Sequence, residues 1–128
     1  MSFQFGDTGA ELLKLVEAAG EGASDLQASD VVALDVGDII SITDWFVIAS
    51  GTNVRQVRRN AEQVEESLKT AGGEGPLRIE GLEDSLWVLL DFGPFVVHVF
   101  HEETRAFYEI ERLWSDVERF NFVESQAD

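Results

Sequence analysis

The sequence predicts a single α/β domain, a mixed five-stranded sheet packed with about three helices. Three observations lead there. The chain has 128 residues of which 45% are apolar, enough for one domain with its own core. Segments of helical and strand periodicity follow one another in the order α-β-β-α-β-β-β-α. The strand segments are apolar at successive positions, as in a sheet with helices over at least one side. No apolar run approaches the ~18 residues of a membrane span, and no period of 20–50 residues repeats.

Asp7 and Thr8 precede a helical run over residues 9–19, with Thr8 and Glu11 spaced as a capping box and Leu12, Leu15, Val16 and Ala19 on one face. Residues 20–29, with two glycines and several small polar residues, read as helix end and loop. Val31-Val32-Ala33-Leu34-Asp35-Val36 is a short strand stopped by Gly37-Asp38, and residues 44–50 form a second, ended by Gly51. Thr52 or Asn53 caps a second helix whose apolar positions, Val54, Val57, Ala61, Val64, Leu68 and Ala71, step by three and four. Gly72-Gly73-Glu74-Gly75-Pro76 stops it. Residues 77–80 suggest a short strand. Residues 86–92 and 95–100 flank Gly93-Pro94 as a hairpin. A third helix is expected over residues 102–117 on Phe107, Ile110, Leu113, Trp114 and Val117, with Glu102 and Glu103 matching its N-terminal dipole. The domain is expected to span residues 1–116, with residues 117–128 as helix end and polar tail.

Charge narrows the function classes. Twenty-five acidic residues against nine basic ones give a net charge of −16, which argues against a broad nucleic-acid-binding face. The absence of cysteine removes disulfides, thiolate catalysis and Cys-ligated zinc. The first residues carry neither a basic and apolar signal nor an Arg-rich transit peptide, so a cytoplasmic location is expected. The acidity fits a salty cytoplasm or a GC-rich genome as well as a basic partner.

His98 and His101 stand beside Glu102 and Glu103, but residues three apart on a strand point to opposite faces. A hydrogen-bonded structural His98 is therefore expected rather than a metal site. Asp35, Asp44 and Asp91 lie in or beside strands, where carboxylates can hold Mg²⁺ or act in acid–base chemistry. No Asp-x-Asp pair occurs in a strand, so bonds to nearby backbone or arginines explain them more simply. Ser50-Gly51-Thr52-Asn53 joins a strand to a helix, where backbone N–H groups favour anions, yet it is no Walker loop. Arg55, Arg58 and Arg59 oppose the helix dipole there, making an anion contact or a solvated face, with Arg58 spaced to pair with Glu62. No catalytic residue is assigned, since no Gly-x-Ser-x-Gly elbow accompanies the two histidines. The aromatics lead: Trp87 and Phe92 in the hairpin, and Tyr108 off the apolar stripe of the last helix, suit an interface, whereas Trp114 reads as core.

Residues 30–36, Ser41-Ile42-Thr43-Asp44-Trp45-Phe46-Val47-Ile48-Ala49-Ser50-Gly51-Thr52, Trp87-Val88-Leu89-Leu90-Asp91-Phe92-Gly93 and residues 96–114 resemble the ribosomal silencing factors (the RsfS/Iojap family). The resemblance runs in order from about Glu11 to Asp116. It implies a nucleotidyltransferase-like fold used for binding rather than catalysis, without cofactor or metal. It also implies docking on large-subunit ribosomal protein fourteen where the small subunit would join, which blocks intact ribosomes and lowers translation when nutrients run short. The family's binding tryptophan falls on Trp87, its apolar residue after the strand aspartate on Phe92, and its helix tyrosine on Tyr108. Trp45 stands where Tyr or Cys is common, and Pro94 replaces the usual Asp beside Phe92. Two other readings stay open: a nucleotide- or phosphate-binding enzyme of nucleotidyltransferase type built on residues 50–53, the arginines and Asp35 or Asp44, and a homodimer using the same apolar surface.

Overall fold

A computed structural model describes residues 9–25, 29–37 and 43–123. Helix α1 (Gly9–Asp25) leads to strand β1 (Ser29–Asp35), β2 (Trp45–Gly51), helix α2 (Val54–Thr70), and β3 (Arg78–Glu80), β4 (Trp87–Asp91) and β5 (Phe95–His101). Helix α3 (Glu102–Tyr108), a 3-10 turn (Ile110–Trp114) and β6 (Arg119–Val123) complete the described fold. The sheet has six strands, one more than expected, in the order β3-β4-β5-β2-β1-β6. The central β2–β5 pair is parallel and every other pair antiparallel.

Strand alternation sends residues to two unlike faces. Val31, Ala33, Val47, Ala49, Val88, Leu90, Val97 and Val99 lie in the core formed with Leu12, Leu15, Val16 and Ala19 of α1 and Val57, Ala61, Val64 and Leu68 of α2. The helical period read for α2 is its buried stripe from Val57 to Leu68, whereas Val54 and Ala71 at its ends are exposed. On the other face Val32, Leu34, Ile48 and Phe100 form a smaller core, flanked by half-buried Phe46, Trp87, Ile110, Trp114 and Val117.

Three elements differ from expectation. Helix α1 runs through Gly20 and Gly22 instead of ending before them. These glycines mark close approach: a Cβ at Gly20 would overlap the Phe122 ring of β6, and one at Gly22 the Ser67 side chain of α2. The third helix stops at Tyr108, because Glu109 takes a left-handed conformation (φ 49°) and the chain continues as the 3-10 turn. The apolar stripe that suggested a longer helix mixes two elements. Finally, part of the expected tail is β6, which pairs with β1 from Leu34↔Arg119 to Val31↔Val123. The Thr8–Glu11 capping box and residues 124–128 fall outside what is described.

Candidate functional site

Trp87 opens β4, directly opposite Phe100 of β5. Its ring stacks obliquely on Phe100 with centroids 4.7 Å apart and meets Tyr108 at 5.2 Å. Tyr108 is 54% exposed at the end of α3, and Phe107 beside it is 80% exposed, in edge contact at 5.0 Å. A shallow concavity of about 380 Å³ opens here. Leu86, Trp87, Phe107 and Tyr108 supply its apolar wall, and Asp84 and Glu103 its carboxylates.

The local chain holds this geometry from several sides. Gly81 (φ 91°) lies so close to the Trp87 carbonyl that any Cβ there would collide with it. Buried Ser85, also left-handed (φ 56°), donates its hydroxyl to the Leu82 carbonyl at 2.8 Å and its N–H to Gly81 at 2.9 Å. Arg58 donates to the same Leu82 carbonyl at 3.2 Å, so it ties α2 to this loop rather than pairing with Glu62. At the other rim Arg105 donates to Ser50 Oγ and to Glu111, each at 2.6 Å, fastening α3 and the 3-10 turn to the end of β2. His101 caps α3, its Nδ1 accepting the Glu103 N–H at 3.2 Å.

The indole Nε1–H of Trp87 donates to His98 Nδ1 at 3.1 Å. His98 is buried in the central strand β5, and burial lowers its pKa to about 4, because desolvation disfavours the imidazolium. The ring is thus neutral near pH 7. An accepting Nδ1 places its one proton on Nε2, an atom with no hydrogen-bond partner. The structural role expected of His98 holds.

The structure brings Trp87 and Tyr108 together but not Phe92. Two-residue alternation along β4 turns Phe92 to the opposite face, where it is 5% exposed and stacked on Phe95 at 4.9 Å. Phe92 therefore offers no surface contact. Trp114 packs edge-on against Phe46 at 5.8 Å, as core. Leu86 and Phe107 join the groove although the sequence did not single them out. Phe107 in particular read as core, and no local signal marked the helix break that exposes it.

The strand-to-helix turn at residues 50–53 satisfies part of its own donors. Gln56 Oε1 accepts the Thr52 N–H at 2.6 Å, and Asn53 Oδ1 accepts the Gln56 N–H at 2.9 Å. These are two of the backbone donors with which this turn could meet a phosphate. Arg55 and Arg59 are exposed nearby. Asp91 bonds the Gly93 N–H at 2.9 Å and Arg78 at 3.4 Å, the structural explanation expected of it. Among the described residues no group of three or more His, Cys, Asp or Glu is placed to hold a metal ion, and no helix is long and apolar enough to cross a membrane.

Fold and groove together define a single-domain α/β protein with one closed, mainly aliphatic face and one half-open face richer in aromatic rings. The family described as "Ribosomal silencing factor during starvation" (RsfS) matches residues 9–128, and the chain belongs to that family. It is 40% identical over 103 residues to the ribosomal silencing factor RsfS of Halalkalibacterium halodurans, covering 80% of this chain and 87% of that protein. It is 33% identical over 90 residues, 69% of this chain and 40% of the longer partner, to a mouse protein named mitochondrial assembly of ribosomal large subunit protein 1. A crystal structure of a Chromobacterium violaceum protein superposes with a TM-score of 0.78 at 32% identity, covering 91% of this chain and 97% of that one.

Proposed function

We propose that this chain binds the large ribosomal subunit through large-subunit ribosomal protein fourteen and sterically blocks joining with the small subunit. It thereby represses translation under nutrient limitation, acting in the cytoplasm as a binding protein without turnover or cofactor. The observation that carries this is the contact of half-buried Trp87 with exposed Tyr108 in a groove edged by Asp84 and Glu103. Family membership and the ribosomal names of the relatives support the partner class. Large aromatic side chains with few rotors are favoured interface anchors. A net charge of −16 hastens encounter with a basic ribosomal protein, while the aromatics supply most of the affinity.

Trp87→Ala should lose about 2 kcal/mol or more of affinity for purified large subunits, roughly thirtyfold. Co-sedimentation measures this, and a subunit-joining assay on the same samples should lose inhibition in parallel. Parent-like binding by Trp87→Ala would remove the proposed interface. Saturable heat on titrating ATP or CTP with Mg²⁺, abolished by Arg55→Ala, would instead favour a nucleotide-binding enzyme.

A further inference from the structure

Only part of the Trp87 indole faces the groove, and its single polar atom faces inward onto His98. The two residues sit on adjacent strands, Trp87 opposite Phe100 and His98 opposite Leu89, so the bond runs along the diagonal that long aromatic side chains can span. His98 is itself fixed by rings: Phe46 meets it edge-on at 4.7 Å, and Phe100 lies nearly parallel at 6.2 Å. A leucine or phenylalanine would suit this apolar setting and carry no polar atom of its own to leave unmatched, yet the chain places a histidine whose Nε2 has no partner. An unmatched buried polar atom costs free energy. What the histidine provides in return is an acceptor for the indole N–H.

We infer that His98 is a positioning residue for Trp87: its Nδ1 takes the indole N–H, fixes the ring against Phe100 and leaves a hydrocarbon surface facing the groove. Its effect on ribosome binding rests on the function proposed above, whereas the positioning itself is a property of the free protein. A preoriented indole loses less side-chain freedom when a partner docks. An indole released from His98 would have to be ordered at that moment.

The test uses the full chain labelled with ¹⁵N, in which Trp45, Trp87 and Trp114 give three indole N–H signals. Trp87→Phe identifies the one of interest. His98→Leu removes the acceptor, and His98→Asn restores one, since Asn Oδ1 stands as far along the side chain as Nδ1. The Trp87 indole signal should be protected from exchange in the parent and in His98→Asn. In His98→Leu it should move and lose protection, while the other two hold. Affinity for large subunits should fall about tenfold in His98→Leu and clearly less in His98→Asn, in keeping with the loss of one hydrogen bond. An unmoved Trp87 signal in His98→Leu, or equal binding by the folded Leu and Asn variants when Trp87→Ala has lost it, would overturn the inference. Should His98→Leu fail to fold, a long-range ¹H–¹⁵N spectrum of the parent decides: an unprotonated Nδ1 supports the inference and a protonated one overturns it. If Trp87→Ala binds like the parent, the ribosome-binding proposal is what fails, and the indole signals still decide the role of His98.

Discussion

On the face covered by α1 and α2, the strands present mainly valines, alanines and Leu90, with Phe95 and Phe92 stacked at one end, sealed by two amphipathic helices. On the opposite face Val32, Leu34 and Ile48 are joined by the rings of Phe46, Trp87, His98 and Phe100, covered only in part by α3 and the 3-10 turn. Aliphatic side chains against helices remove surface from water and need no orientation beyond close packing. Aromatic and imidazole rings add directional contacts, including one hydrogen bond, and keep a half-open surface in a fixed shape. The first arrangement secures the domain, and the second gives it something to present.

The contrast can be broken most forcefully on the closed side. Leu90→Ala should cost roughly 2–5 kcal/mol by urea unfolding, the range for buried leucines, yet leave the folded protein's affinity for large subunits close to the parent's. Acid should act on the other face. Burial holds the folded His98 pKa at about 4, below its ordinary 6.5, so the unfolded chain takes the proton first. The stability due to this residue is therefore full above pH 6.5, falls as pH drops toward 4, and then levels off, a loss of about 3 kcal/mol. Comparing urea midpoints of the parent and His98→Asn at pH 7 and pH 4.5 isolates this from carboxylate titration. The smallest effect is expected at the start of α2, where Asn53→Ala should cost about 1 kcal/mol by removing the cap. Thermal unfolding would register it, and groove binding should not change.

Much of this was legible in the sequence because the signals were local. The steps of three and four in α2, the apolar runs of β1, β2, β4 and β5, and the Gly93-Pro94 hairpin each announce themselves within a dozen residues. What was missed depends on distant neighbours. Gly20 and Gly22 look like helix breakers until Phe122 and Ser67 arrive against them. β6 alternates Phe120 and Phe122 with polar residues but becomes a strand only beside β1. Phe92 is a different case, for counting two-residue steps from Trp87 already assigns it to the far side of the sheet. Trp87 and Tyr108 were found as individual residues, whereas the carboxylates and loop that shape their groove required the fold.

The pairing of β6 with β1 carries a consequence for how the molecule is made. Leu34 finds its partner in Arg119, so the apolar run Val31-Val32-Ala33-Leu34 keeps one side of its backbone bare until a segment from the far end of the described fold reaches it. Such distant closure is slow compared with hairpin formation. During the wait, the exposed edge is a template for a strand from another chain. The short segment Arg119–Val123 thus covers that edge, and shortening the chain before Arg119 should raise strand-to-strand association, read by light scattering.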